Sequence, residues 1–205
     1  MQKYWDKIYT KKQTNTLGWY EEKPEQSLQL IKKCHLDKED RILITGAGST
    51  TLVDNLLDLG YKNIIATDIS SEALDTLKQR LGEHRSNAVQ WIVDDITNPQ
   101  ELIITESVDL WFDRAVLHFF TEESQRLAYF NLLRNLVVKN GHVILAQFNT
   151  NSATMCSGLP VYQYNVDMLM SNLGSNFELM ESIDFTYTMP SGDTREYIYG
   201  LFRRS

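Results

Sequence analysis

Four places in the chain carry residues whose types and spacing can do chemistry. The first is the turn Gly46, Ala47, Gly48, Ser49, Thr50, which closes the apolar run at residues 42–45. Glycines there permit positive φ and close backbone approach, and free N–H groups at the start of a following helix can meet a polar ligand; a tight strand-to-helix turn asks for the same residues. The second is Asp68, about twenty residues past the glycines at the end of "NIIATD", where a carboxylate can accept from ribose hydroxyls or simply favour a helix start. The third is Asp94, Asp95, Ile96: an acid can accept from an adenine amino group while the isoleucine packs on the ring, or the acids can form an Asx turn into Thr97, Asn98 and Pro99. The fourth is "DRAVLHFF". There Asp113 can orient a nucleophile or its cation, Arg114 can bind a carboxylate, and His118 can take a proton near neutral pH. The structural alternatives are Arg114 pairing with Asp113 or another acid, and a packed histidine. Glycine turn, Asp68 and Asp95 form a series at successive strand ends, which points to a nucleoside ligand.

The surrounding pattern supplies elements to hold that series. Residues 41–45, 63–67, 89–93, 108–112 and 142–148 read as strands, and the first, apolar or β-branched from Ile42 to Thr45, suits burial on both faces. Between them, Leu52, Val53, Leu56, Leu57 and Leu59, then Ala73, Leu74, Leu77 and Leu81, then Leu127, Phe130, Leu132, Leu133 and Leu136 recur near helical spacing. Ser70 is placed to cap the second of these helices, and Asn140 with Gly141 is placed to end the third. Residues 27–36 read as a helix before the first strand. From Phe177 onward two β-rich runs flank Pro190, Ser191, Gly192 and Asp193, a hairpin signal. The expectation is an α/β, doubly wound, Rossmann-like seven-stranded sheet, mostly parallel, with one antiparallel strand in a C-terminal hairpin. Residues 1–205 are expected to form a single domain, with residues 1–36, rich in Tyr and Trp, packing on its core as an aromatic segment and helix.

Composition narrows the class. With 205 residues, 42% hydrophobic and 23% charged, the chain can build one full core. A net charge of -7, from 27 acidic and 20 basic residues, disfavours a general nucleic-acid or anionic-membrane binder. Cys34 and Cys156 form no metal-like pair, and His35, His84 and His142 have no ligand spacing, so neither zinc nor any other metal is expected. There is no signal-peptide core or membrane-length apolar run, and the reading is a soluble cytoplasmic protein.

Two chemistries share this architecture. A nicotinamide cofactor needs its pyrophosphate seated on a full G-x-G-x-x-G, but the sixth position here is Thr51, and no Tyr-x-x-x-Lys pair stands in a suitable place. A methyl donor has no phosphate and tolerates the looser turn; the terminal hairpin also favours it. On the segments "YWDKIYTKK", "GWYEEKPEQSLQLI", "GAGSTTLVDNLLDLG", "ATDISSEALDTLKQRLG", "WIVDDIT", "FDRAVLHFFT", "KNGHVILAQF", "CSGLPVYQY" and "FRR", the chain resembles the class I S-adenosylmethionine-dependent methyltransferases, in particular a group of small bacterial ones, over nearly its full length. The N-terminal segments and "FDRAVLHFFT" also resemble lysine methyltransferases of the citrate synthase and elongation factor type. The resemblance implies S-adenosyl-L-methionine as cofactor. It implies that Gly46, Ala47 and Gly48 approach the donor's methionine part, that Asp68 takes the ribose hydroxyls and that Ile69 touches the adenine. Asp95 with Ile96 would hold the adenine amine and ring, and Asp113 would face the transferring methyl group. The chain departs from the family pattern at Ile44, where an acidic residue usually stands two positions before the first glycine. The departure leaves three outcomes open: weaker donor binding, substitution by another group, or loss of turnover.

For the acceptor side, Asp113 and His118 are the candidate catalytic residues. Trp19, Tyr20, Arg114, Phe148 and Cys156 are the candidate substrate contacts, with Trp19 and Tyr20 as an aromatic wall that can close over a sulfonium. Methyl transfer is an in-line displacement at an activated carbon, so the protein's share is mainly alignment, exclusion of water and removal of any proton. A small-molecule acceptor suits the short chain and the polar loop at 149–160. A protein lysine suits the similarity at the acceptor side, and a donor-binding protein without catalysis suits Ile44.

Overall fold

The computed structural model describes residues 1–205. Its centre is a seven-stranded sheet whose strands are β1 (Arg41–Thr45), β2 (Asn63–Asp68), β3 (Val89–Val93), β4 (Val108–Arg114), β5 (Val137–Phe148), and, after a short ladder of β6 (Met155–Cys156) and β7 (Leu159–Pro160), β8 (Phe177–Thr188) and β9 (Thr194–Arg204). The sheet order is β3-β2-β1-β4-β5-β9-β8. The first five strands of that order run parallel, and β9 turns the direction by pairing antiparallel to both β5 and β8.

Helices cover both faces, which is why the inner strands are apolar throughout rather than alternating. Side chains of successive strand residues still point to opposite faces. Ile42, Ile44, Leu110 and Phe112 join one core with α2 (Glu25–Lys33), α3 (Leu52–Asp58) and α4 (Ser71–Ser86). Leu43, Trp111, Val143 and Leu145 join the other with α5 (Glu123–Leu136) and α6 (Val166–Leu173). An N-terminal helix, α1 (Gln2–Lys11), lies apart from both cores and has no fully buried residue. No helix is long and apolar enough to cross a membrane.

The Rossmann-like sheet and its closing hairpin agree with the sequence expectation, and Ser70 does cap α4, its Oγ accepting from the Ala73 N–H at 3.2 Å. Three local expectations are corrected. Helix α2 stops at Lys33, short of Leu36. Helix α5 stops at Leu136, and Asn140 and Gly141 lie within β5, where Asn140 takes φ 64 and the pairing with β4 jumps from Val108↔Val137 to Leu110↔His142. The turn-forming pair therefore marks a break in a strand ladder, not a helix end. Strand β4 continues past Phe112 to Arg114, which puts Asp113 and Arg114 inside the alternation and sends them to opposite faces.

Candidate active site

The glycine turn leaves β1 with both Gly46 and Gly48 at φ 53, a region that favours glycine. Its backbone is tied to β2: the Ala47 N–H donates to the Thr67 carbonyl, and the Gly48 N–H donates to Asp68 Oδ2, both at 2.8 Å. A Cβ on Gly46 would overlap the Val116 Cγ2 methyl, and one on Gly48 would overlap the Tyr9 hydroxyl. Gly46→Ala is accordingly expected to destabilise the protein by about 2–4 kcal/mol, through combined φ strain and overlap in a packed site. A thermal unfolding midpoint equal to that of the parent protein would contradict this.

Asp68, at the end of β2, is nearly enclosed. Oδ1 accepts from the Ser70 N–H at 2.9 Å and Oδ2 from Gly48, so each oxygen keeps a further lone pair for a ligand. Burial pushes its carboxyl up to about 6, against the pull of these N–H donors. At the end of β3, Asp95 Oδ1 accepts from the Thr97 N–H at 2.9 Å and Thr97 Oγ1 at 2.7 Å, an Asx turn that leaves Oδ2 without a protein donor. Asp94 is spent on its own loop, accepting from the Gln100, Glu101 and Leu102 N–H groups. Of the two alternatives foreseen for this stretch the Asx turn is present, and Asp95 Oδ2 accepts from no protein group.

Gly46, Asp68, Ile69, Asp95 and Ile96 share the wall of one cavity of about 370 Å³ at the carboxyl ends of the strands. Its apolar wall includes Trp5, Trp19, Val116, Phe119, Phe120 and Leu159. Helix α1 forms the roof. Trp5 packs edge-on against Trp19 and Phe119, with ring centroids 5.8 and 5.0 Å away. Ser70 Oγ donates to Asp6 Oδ1 at 2.7 Å, and the Tyr4 hydroxyl donates to the Ser157 carbonyl. Ala47 and Gly48 stand behind the cavity: Ala47 is in a smaller adjoining cleft, and Gly48 is covered by Tyr9.

The acceptor-side candidates are distributed differently from the sequence expectation. Asp113 is fully buried and does not reach the cavity. It shares its face with Trp111, toward α5, and accepts from Gln147 Nε2 at 2.6 Å, the Tyr129 hydroxyl at 2.7 Å and the Val116 N–H at 3.1 Å. Burial raises its carboxyl above the usual range while these donors oppose the shift. His118 is likewise fully buried, wedged between Phe119 and Phe148 with ring centroids 4.5 and 4.6 Å apart, and neither ring nitrogen has a partner. Burial, helped by the Arg114 charge, pushes its pKa down to about 3, so it is neutral and packed rather than poised to take a proton.

Phe148 is buried behind His118 and packs on Tyr197, away from the cavity. Tyr20 lines the smaller cleft, and its carbonyl accepts from the Tyr187 hydroxyl. Trp19, Arg114 and Cys156 do line the main cavity. Burial holds the Cys156 thiol up at about 11, so it lines the wall as a neutral thiol. Arg114 does not pair with Asp113. Its Nε lies 3.1 Å from Glu21 Oε2 and 3.1 Å from the Tyr199 hydroxyl, and its Nη1 donates to the Trp19 carbonyl at 3.0 Å. The guanidinium also stacks over the Tyr187 and Tyr197 rings, 4.8 and 5.0 Å from their centroids. Sequence reasoning did not find Glu21, Tyr9 or Trp5 as site residues; Glu21 lies 93 positions from Arg114, and only the packing of the N-terminal segment brings them together.

Comparison with known proteins agrees with this geometry. A family model described as a methyltransferase domain matches residues 43–143. The mouse eEF1A lysine and N-terminal methyltransferase is 29% identical over 84 residues, 40% of this chain and 12% of that protein, and the Danio rerio protein of the same name is 28% identical over 82 residues. The matched stretch is thus about an eighth of the length of these relatives. Among solved structures, an S-adenosylmethionine-dependent methyltransferase from Anabaena variabilis superimposes with a TM-score of 0.78 at 14% identity, covering 100% of this chain and 93% of that one. The N-methyltransferase NodS from Bradyrhizobium japonicum, in complex with S-adenosyl-L-homocysteine, superimposes with a TM-score of 0.70 at 15% identity over 98% of each chain. At these identities the structural likeness is one of fold.

Proposed function

The chain belongs to the class I S-adenosylmethionine-dependent methyltransferases, and from that premise we propose that it transfers a methyl group to a small-molecule acceptor, with residues 1–205 as one domain. The observation that carries this reading is the roofed, largely apolar cavity of about 370 Å³ into which the Asp68 carboxylate projects from the end of β2. The residues fit the donor. Asp68 keeps two lone pairs for a ribose diol, Asp95 Oδ2 is free for the adenine amine, and Ile69 and Ile96 offer apolar surface to the ring. When bound, S-adenosylmethionine supplies a methyl group on a sulfonium, activated toward attack.

The protein's own share is alignment and exclusion of water. Trp5, Trp19, Phe119 and Phe120 form an apolar wall beside the glycine turn, and α1, tied to the body through Asp6 and Ser70, covers one side of it. Asp113 acts as a positioning residue, fixing the backbone at Val116 that backs the glycine turn, and His118 as packing. The acceptor therefore attacks in its neutral, nucleophilic form or releases its proton to solvent.

A protein lysine is the second reading. It is supported by the elongation-factor methyltransferases among the relatives and by the aromatic wall, which suits a methylated ammonium. Calorimetry with S-adenosylhomocysteine is expected to show binding, with a change in Trp5 and Trp19 fluorescence. Incubation with labelled donor and fractionated lysate should then put label into small metabolites. Label in protein would favour the lysine reading, label in neither would favour donor binding without turnover, and no binding of either nucleoside at high micromolar concentration would remove the donor assignment.

A further inference from the structure

Beneath the glycine turn lies a second, smaller cleft of about 50 Å³. Trp19, Gly46 and Arg114 line both this cleft and the main cavity, so the two adjoin. Its charged side chains are one carboxylate, Glu21, and one guanidinium, Arg114. Both are largely enclosed, with side-chain exposures of 14% and 10%. The strand beside them contributes no charge: Ile44 lies on the same sheet face as Arg114 and is 2% exposed.

The pair is incompletely satisfied. Arg114 Nη2 is buried with no acceptor, and Glu21 takes only Nε of Arg114, with no other hydrogen bond to its carboxylate. An unpartnered guanidinium nitrogen in a buried site is costly, and an anionic group of a ligand is one partner that would satisfy it. A cation and an anion side by side, each with spare capacity, match a ligand group that carries both signs.

We propose that Glu21 and Arg114 form the receptor for the zwitterionic amino-acid end of the methyl donor, with Glu21 accepting from its ammonium and Arg114 Nη2 donating to its carboxylate. The inference rests on the donor reading given above. It assigns Glu21 the charge that β1 lacks at Ile44: the acid reaches the turn from the N-terminal segment instead of from the strand. Burial raises the Glu21 carboxyl and the single Arg114 contact opposes that, so a second cation would hold it ionised. Two opposite charges in one cleft also discriminate against nucleosides that lack an amino acid.

The test is calorimetric, with two probes: S-adenosylhomocysteine, which carries the amino-acid end, and 5′-methylthioadenosine, which does not. Glu21→Gln is expected to weaken S-adenosylhomocysteine about tenfold or more while leaving 5′-methylthioadenosine within about twofold, since a charge-assisted bond is lost only for the first. Adding Ile44→Asp to Glu21→Gln should recover part of the loss by returning a carboxylate to the opposite wall. If Glu21→Gln folds too poorly to titrate, Glu21→Asp should show the same selective loss to a smaller degree. Equal weakening of both probes, or of neither, would overturn the proposal and leave the donor reading intact. Binding of neither probe by the parent protein would overturn both.

Discussion

Asp68→Ala is expected to lower affinity for S-adenosylhomocysteine by about 10- to 100-fold, the loss that follows if its carboxylate is the charged acceptor for two ribose hydroxyls. The same change leaves the Gly48 and Ser70 N–H groups without their acceptor, so part of the effect reflects a loosened turn. Asp68→Asn separates the two, because it keeps the shape and one acceptor oxygen. Calorimetry on both variants is the measurement, and unchanged affinity in Asp68→Ala would reduce Asp68 to a helix-start residue. The pH dependence carries an independent signature. With its carboxyl raised to about 6, Asp68 loses its charge as pH falls through that value, and nucleoside affinity should fall with it. The sign for folding is opposite. A carboxyl whose folded pKa lies above the ordinary 3.8 binds protons more tightly when folded, so between about 4 and 6 its contribution to stability grows on acidification. Loss of affinity there without loss of the folded state is the expected pattern in the parent protein, and Asp68→Asn should flatten it.

Asp113→Ala is expected to act on the fold. Removing this carboxylate strands the Gln147 amide, the Tyr129 hydroxyl and the Val116 N–H in a fully buried site. Orphaning buried donors of this kind costs about 3–5 kcal/mol, which for a chain of this size lowers the unfolding midpoint by roughly 10 °C or more. Differential scanning calorimetry would show it. Donor affinity measured well below the transition should move by less than about tenfold, the residual change coming through Val116 behind Gly46. An unchanged midpoint with abolished methyl transfer would return Asp113 to the reacting atoms.

Much of the strand-end wall of the cavity was legible because it is local. Gly46 and Gly48 declare their φ by type, Asp68 and Asp95 fall where a strand run stops, and Ser70 stands where a helix begins. These features depend on neighbours within a few positions. The stretch that ends β4 was not legible in the same way. "DRAVLHFF" places three functional residue types together, yet the strand extends two residues further than the apolar run suggested, and alternation then divides them.

By itself, then, the sequence determined the strand order's raw material, the closing hairpin and the row of strand-end residues, since hydrophobic periodicity and turn chemistry act through short range. Only the tertiary structure decided where Asp113, Arg114 and His118 point. Asp113 goes to the α5 face to satisfy Tyr129 and Gln147, and Arg114 goes to the opposite face to meet Glu21. That partnership joins residues distant in the chain, and burial makes each charge depend on what surrounds it. No spacing rule carries such information, because the energy of a buried charge is set by the elements packed around it and not by its place in the sequence.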